Sequence, residues 1–263
     1  MSIQILALLL SIAPAEPAPV VATNADMLRA WDAYVEGARS RMEERLTSAK
    51  PFLWAQESEE RMRLLRDGGI PVEPLRPNGR TALTGGLIHD WIGAVYVPDA
   101  TASQVLAKLD EYGAYKSFYK PAVVDSRLLS RDGDTRRFTM RYAKKVSMVN
   151  SVIDADYETS YFPAGSSSWW SICRSTRIQE VENQGKAEER LQPIGAGAGY
   201  LWRYYSITRV MEVDHGAVVE IETIALSRDI PAAVAWFVNP IVNRFSRSAL
   251  RTTLSQTREA VRP

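Results

Sequence analysis

The chain has 263 residues, of which 46% are hydrophobic and 24% are charged, as in ordinary globular proteins. Its 32 Lys and Arg residues against 31 Asp and Glu give a net charge of +1, which argues against nucleic-acid binding and electrostatic membrane-surface binding. The single cysteine, Cys173, excludes an intrachain disulfide, and no run of about 18 apolar residues predicts a membrane-spanning helix.

The first 22 residues have the pattern of a secretory signal peptide. Residues 3–12 form an apolar run of signal-peptide length, and the small residues at Val20-Val21-Ala22 predict cleavage after Ala22. No Lys or Arg precedes the run. From the apolar run and the small residues at the cleavage position we predict a periplasmic or secreted protein, with a buried or disordered N-terminal tail as the alternative.

Residues 23–83 are predicted to form a helical extension and a linker. Apolar residues at helical spacing predict a first helix between Asn24 and Lys50 and a second that ends at Gly68-Gly69. Three prolines confine Ile70–Leu75 to a sheet edge or a linker. The turn-rich stretch Arg76–Gly85 is the predicted boundary with the main domain, residues 84–263.

The main domain is predicted to be a series of strands that ends in one long helix. Alternation and turn signals predict strands at Leu87–Val97, Ala122–Ser130, Thr135–Val149, Val152–Phe162, Ser168–Glu182, Tyr200–Val213 and Ala217–Ser227. Short turns between consecutive strands predict antiparallel pairing. The last helix begins at Asp229-Ile230-Pro231, carries an apolar stripe, and should be kinked at Pro240.

Several local patterns match one known superfamily. The strand Gly86–Val97 runs directly into Pro98 and the helix sequence Thr-Ala-Ser-Gln-Val-Leu. The run Tyr112–Asp125 ends in Lys-Pro-Ala-Val-Val-Asp, and a long helix follows the strand series after Ser227–Pro231. On these features, the segment from Gly86 to the C-terminus resembles the START, polyketide-cyclase and Bet v 1-like superfamily.

The resemblance implies an α+β helix-grip fold, in which a curved antiparallel sheet of about six to seven strands packs on a long C-terminal helix. It also implies that a lipid, isoprenoid or polyketide-like molecule is held between sheet and helix. The extension at residues 23–83 lies outside this pattern. The leading hypothesis is therefore noncatalytic binding or transport of a hydrophobic small molecule, without a cofactor.

Apolar and aromatic side chains on the sheet and the last helix are the candidate lining of this space. They are Phe138, Met140, Tyr142, Trp170, Tyr204, Val234, Phe237 and Ile241. One of Arg177, Arg203 and Arg209 is predicted to pair with Glu220 or Glu222 inside the space and to orient a polar group of the ligand, because a buried charge needs a partner. Arg209 and Glu222 are the candidate ligand contacts among them.

No catalytic or metal-binding motif stands out. His89 and Asp90 are strand neighbours that point to opposite faces and cannot pair. Cys173 is interpreted as a small core residue, and two dispersed histidines argue against zinc. The glycines at 195, 197 and 199 mimic a phosphate loop, but no helix follows them, which predicts a flexible loop without an anion site.

Three acidic residues alternate along one strand face and are interpreted as a solvated outer surface. Asp154, Asp156 and Glu158 would be balanced by Arg137 and Arg141 of the neighbouring strand.

Two other functions stay open at the level of the sequence. A cyclase or aromatase could act by folding a flexible substrate, and a His89 or Asp90 inside the pocket would favour it. A structural or interaction module would instead present an exposed apolar face on residues 27–46.

Overall fold

A computed structural model describes residues 21–146, 149–229 and 232–262, with side chains at all of these except 21, 144–146, 149–151, 232–243 and 245. The predicted signal-peptide core lies outside the described residues. Among the helices that the structure describes, none is long and apolar enough to cross a membrane.

The described residues form twelve strands and five helices, numbered in chain order. The strands are β1 Val21–Ala22, β2 Val72–Pro74, β3 Arg80–Leu83, β4 Gly86–Pro98, β5 Val123–Asp132, β6 Thr135–Val146, β7 Val149–Pro163, β8 Ser168–Glu182, β9 Arg190–Leu191, β10 Ala196–Gly197, β11 Arg203–Val213 and β12 Gly216–Arg228. The helices are α1 Ala25–Thr47, α2 Glu59–Arg66, α3 Ala102–Leu109, α4 Tyr115–Phe118 and α5 Ala232–Val261.

One antiparallel sheet dominates the fold. Its strand order is β2-β4-β12-β11-β8-β7-β6-β5, with β3 also paired to β4 and β9 to β8. The seven long strands β4, β5, β6, β7, β8, β11 and β12 correspond to the seven strands predicted. Short β1 pairs with β10 in a separate two-stranded ladder.

The face of the sheet that contacts α5 is called the inner face. Leu250, Leu254 and Val261 of α5 belong to one buried cluster with Trp91 and Val95 of β4. The backbone of α5 is helical on both sides of position 240, and the kink expected at Pro240 stays a prediction. The predicted α+β helix-grip architecture is confirmed.

The opposite, outer face is covered by the N-terminal extension over β4, β12, β11 and β8. The Asn24 side chain caps α1 by accepting the Met27 N–H at 2.8 Å. Four residues of α1 are buried against the sheet, namely Met27, Trp31, Ala38 and Met42, which share a cluster with Trp170, Ile207 and Ile224. The apolar face of α1, which an interaction module would have to expose, is therefore used inside the chain.

The stretch between α1 and β4 is more structured than expected. A 3₁₀ turn at Trp54–Glu57 precedes α2, and Ser58 separates them because its hydroxyl caps α2 by accepting the Arg61 N–H. Within the predicted turn-rich boundary, β3 forms an antiparallel pair with β4, from Arg80 opposite His89 to Leu83 opposite Gly86. The predicted boundary stretch therefore contains a strand as well as turns.

Beyond the area that α1 covers, the outer face is a ladder of ion pairs. Arg141 holds Asp154 at 2.6 and 2.8 Å, Arg177 holds Asp156 at 2.7 and 2.8 Å. Glu158 accepts from Arg137 at 3.0 Å and from Arg174 at 2.6 Å. The interpretation of this acidic row as a balanced outer surface is confirmed.

Candidate functional site

The inner face carries a band of uncharged polar side chains across the middle of the sheet. The register aligns Trp91, Thr223, Ser206, Cys173 and Thr159 in one row across β4, β12, β11, β8 and β7. The next row aligns Ile221, Thr208 and Ser171. Because paired strands lie about 4.8 Å apart, these hydroxyl groups and the thiol form a continuous patch, called here the hydroxyl band.

The two faces of the central strands differ in how tightly they are closed. On the inner face Cys173, Tyr204, Thr208, Ile221 and Thr223 are only half-buried. On the outer face of the same strands, side chains such as Ile207, Ile224 and Glu220 are fully buried beneath α1 and the 3₁₀ turn. The inner face therefore retains accessible surface in the middle of the fold.

Four predicted lining residues lie together at one side of this band. Phe138, Met140, Tyr142 and Tyr204 belong to one inner-face cluster. Phe138 is buried between the rings of Tyr112 and Tyr157, at centroid distances of 4.2 and 5.2 Å. Tyr142 and Tyr204 are half-buried and border the accessible surface. Phe138 is thus buried within the aromatic wall, whereas Tyr142 and Tyr204 keep part of their surface accessible.

Burial keeps the titratable groups of this wall protonated. It raises the pKa of the Cys173 thiol to about 12 and raises the pKa values of Tyr142, Tyr157 and Tyr204. A thiol in this state is a small hydrophobic group and not a nucleophile. The interpretation of Cys173 as a packing residue agrees with this environment.

His89 is the basic group of the inner face of β4. Its Nε2 lies 2.9 Å from Ser227 Oγ, and the Ser227 hydroxyl donates to the Arg228 carbonyl at 3.1 Å. The ring must then donate from Nε2, which leaves Nδ1 as an acceptor that is buried and without a partner among the described residues. Burial, and secondarily Arg80, lowers the pKa of His89 to about 4, so the imidazole is neutral at pH 7.

Three predicted ligand contacts lie on the other face. Trp170 packs in the cluster beneath α1, and Arg209 donates towards the Met42 sulfur of α1 at 3.6 Å. Glu222 points to the same face of β12 as Glu220, whose carboxylate accepts a backbone N–H of the 3₁₀ turn. Their assignment to the space beneath α5 is corrected. Both faces of β8, β11 and β12 carry apolar side chains, so apolar neighbours alone could not identify the face.

Arg209 nevertheless has the carboxylate partner that its burial requires. It is 2% exposed and donates from Nε to Glu220 Oε1 at 2.5 Å. Its Nη2 lies 3.7 Å from Glu222 Oε2. Glu220 also accepts the backbone N–H groups of Trp54 and Ala55 at 3.1 and 2.9 Å. This pair fixes the 3₁₀ turn to the outer face.

Asp90 extends the same outer-face network. It is fully buried and accepts the Tyr34 hydroxyl at 2.7 Å, and Tyr34 accepts from Arg76 Nε at 2.9 Å. Burial raises the pKa values of Asp90 and Glu222, and the negative charge of Asp90 raises the pKa of Glu222 further. The group attaches the extension to the sheet and has no access to the inner face.

The remaining predicted contacts, Val234, Phe237 and Ile241, are on the N-terminal half of α5. The helix backbone passes through these positions, and their side chains lie outside the described residues. Their role as ligand contacts stays a prediction.

The glycine-rich loop near residue 197 binds an anion after all, but the anion is the chain's own. Glu180 accepts the backbone N–H groups of Ala198, Gly199 and Tyr200 at 2.7, 2.9 and 3.2 Å. Gly197 has φ +119°, and a Cβ there would lie 2.7 Å from the Glu180 carboxylate. The prediction that no anion site exists was wrong, because successive backbone amides can form a nest without a helix.

The hydroxyl band was not predicted from the sequence. The signal was present in β11, where Tyr204, Ser206, Thr208 and Val210 alternate with Tyr205, Ile207 and Arg209. Each set contains both polar and apolar side chains. Alternation therefore shows that the strand has two faces, but not which face lies on the side of α5. Two surface depressions of the described residues, beside Arg251 of α5 and beside Leu46 of α1, are open and lie away from the band.

No protein-family model matches the sequence, and no curated protein matches it. Among solved structures, a STAR-related lipid transfer protein fragment from Xanthomonas axonopodis superposes with a TM-score of 0.50 at 16% identity, covering 70% of this chain and 99% of that one. Human STARD10 has a TM-score of 0.45 at 11% identity, with 78% and 79% covered. The Zhui aromatase/cyclase from Streptomyces sp. R1128 has a TM-score of 0.43 at 9% identity, with 66% and 93% covered. The likeness shows the fold, and the predicted resemblance is confirmed at that level.

Proposed function

From this helix-grip fold, we propose that the protein binds or transports a hydrophobic small molecule on the inner face of the sheet beneath α5, without catalysis. The ligand would contact the half-buried side chains of Tyr142, Tyr204, Thr208 and Ile221. The lipid transfer protein of like fold supports this class of ligand. Export from the cytoplasm is part of the proposal and depends on the N-terminal apolar run alone.

One observation carries the proposal. The central strands are sealed on their outer face by α1, yet their inner-face residues keep accessible surface although they lie in the middle of the sheet. Protein interiors are normally packed without voids larger than a water molecule. Accessible surface away from the edges of a sheet, on the face that carries α5, supports a ligand site there.

The test is a titration with N-phenyl-1-naphthylamine, an uncharged apolar dye whose fluorescence rises in apolar surroundings. We expect saturable binding that Thr208→Phe weakens at least about tenfold, because the ring fills the accessible space; tenfold corresponds to about 1.4 kcal/mol. The matched control is Thr176→Phe, at an exposed position of β8. Equal affinity in both variants would contradict the proposal. Native mass spectrometry of the purified protein, followed by organic extraction, would identify a copurifying ligand.

A cyclase of the aromatase kind is the second candidate, favoured by the position of His89 on the inner face. A neutral imidazole there could accept a proton from a bound polyketone. The protein should then convert a linear polyketone to a cyclic product, and His89→Phe should abolish that conversion while dye binding persists. Unchanged substrate after incubation with the wild type would remove this candidate.

A further inference from the structure

We infer that the ligand of the inner face is an uncharged molecule with hydroxyl or carbonyl oxygens in its buried part, and not a fatty acid or another lipid whose charged group is buried. This inference rests on the proposed binding function and narrows its ligand class. It comes from the distribution of polar groups between the two faces of the same strands.

The central inner face offers hydrogen bonds, and the cations that extend its row, Arg136 of β6 opposite Thr159 and Arg131 of β5 opposite Arg136, both pair with Asp110. The hydroxyl band places Thr208 and Thr223 at half-buried positions, with Ser206 and Ser171 beside them. The charged side chains of the central strands, Arg209, Glu220 and Glu222 among them, point to the outer face. An ionised group that is buried without a partner is far more costly than a hydroxyl that finds one.

Three carboxylates occupy strand positions that face the inner side of the sheet. They lie near strand ends and already accept hydrogen bonds from the protein. Glu180 accepts the backbone amides of the loop at residues 195–200, Glu182 accepts from Arg190 at 2.7 Å, and Glu212 accepts the Ala102 N–H at 2.8 Å. No ionisable residue occurs in the sequence of residues 232–243, the first twelve residues of α5. Neither the sheet centre nor this part of the helix supplies a charge.

His89 adds one specific acceptor. The chain of hydrogen bonds from His89 Nε2 through Ser227 to the Arg228 carbonyl leaves Nδ1 unprotonated, buried and without a partner among the described residues. A ligand hydroxyl can donate to this nitrogen, whereas a carboxylate cannot. Arg80, opposite His89 on the edge strand β3, is a nearby cation and marks where an acidic ligand would bind if the inference were wrong.

The test uses dye displacement by three compounds of one chain length, dodecanol, dodecyl methyl ether and ionised dodecanoate. We expect dodecanol to displace bound N-phenyl-1-naphthylamine at a concentration at least about tenfold below that of dodecanoate, with the ether weaker than the alcohol. His89→Phe and Thr223→Val should each reduce the difference between the concentrations of dodecanol and of dodecyl methyl ether that displace the dye. Thr176→Val, the same change at an exposed position, should leave it unchanged.

Dodecanoate that displaces the dye as well as dodecanol does would overturn the inference, most directly if Arg80→Met abolished the displacement. A gap between alcohol and ether that persists in both His89→Phe and Thr223→Val would also overturn it. Failure of the wild type to bind the dye at all would instead refute the proposed function. The two failures are therefore distinguishable.

Discussion

At the scale of single residues, the buried pair of Arg209 and Glu220 has a calculable consequence. Both side chains are almost inaccessible, and Glu220 also satisfies two backbone amides of the 3₁₀ turn. Removal of one partner leaves the other charge buried and uncompensated, which typically costs about 3–5 kcal/mol. The pair thus matters less for its own attraction than for the penalty that follows when it is broken.

We expect Arg209→Met to lower the free energy of unfolding in urea by about 3–5 kcal/mol. Adding Glu220→Gln should restore part of this loss, because the amide is neutral and still accepts from the turn. Arg137→Met, in an exposed pair, is the control and should cost less than about 1 kcal/mol. A loss of similar size in the Arg209 and Arg137 variants would contradict the buried-charge account.

His89 gives a pH dependence of defined sign. The unfolded side chain binds a proton below a pH of about 6.5, whereas the buried one does so only near 4. The stability that the neutral ring contributes is therefore complete above pH 6.5 and is lost as the pH falls towards 4, by about 3 kcal/mol. Asp90 and Glu222, whose pKa values are raised, act in the opposite direction over acidic pH.

Comparing the wild type with His89→Gln isolates the contribution of His89 to the pH dependence of stability. The free energy of unfolding of the wild type should fall relative to that of the variant between pH 6.5 and 4, because the variant lacks the proton-binding group but keeps both carboxylates. Chemical denaturation at a series of pH values measures the difference. Parallel pH profiles of the two proteins would show that the ring is not desolvated.

At the scale of elements, the loop at residues 195–200 depends on one side chain of another element. Glu180 accepts three of its backbone N–H groups, and the positive φ of Gly197 lets the backbone approach the carboxylate. Hydrogen bonds to a charged group contribute about 1.5–3 kcal/mol each, so the loop has more support than its composition suggests. The same loop pairs through β10 with β1, at the start of the described chain.

We expect Glu180→Ala to speed hydrogen exchange at the amides of Ala198, Gly199 and Tyr200 while the sheet stays protected. The amides lose their acceptor, and water replaces it only by opening the loop. Glu182→Ala, which removes a carboxylate from an exposed pair on the same strand, is the matched control. Exchange that is unchanged in Glu180→Ala would contradict the nest.

At the scale of the whole molecule, the extension and the sheet share one core. The sequence suggests a boundary near residue 84, whereas the structure shows α1 buried on the outer face, and β2 and β3 paired with β4. The interface contains apolar side chains and the network of Asp90, Arg209 and Glu222. An extension attached in this way should unfold together with the sheet.

Met42→Ala tests this. Met42 is 1% exposed on the face of α1 that packs on the sheet, and its truncation should lower the free energy of unfolding by about 2–5 kcal/mol. The midpoints followed by helical circular dichroism and by tryptophan fluorescence should move together. Leu46→Ala, one turn later at a residue that is 42% exposed, should cost less than about 1 kcal/mol. A separate early transition of α1 would mean that the extension is an independent unit.

The sequence by itself determined the long strands, the main helices and their order, and its resemblance to a known superfamily implied the overall fold. The alternation in Phe138, Met140 and Tyr142, the hairpin signals and the long terminal helix depend on neighbours in the chain, and they predicted seven long strands and their antiparallel pairing. The acidic row and its partners Arg137 and Arg141 were predicted for the same reason, because β6 and β7 belong to one hairpin. Local chemistry is sufficient wherever the partners are close in sequence.

Only the tertiary structure decided which face of β8, β11 and β12 meets α5. Period-two alternation distinguishes two faces but does not label them, and here both faces carry apolar side chains. Arg209 and Trp170 therefore lie under α1, whereas Thr208 and His89 lie on the ligand side. Glu180 and its loop were likewise inaccessible to sequence reasoning, because a backbone nest is recognised by geometry and not by residue type.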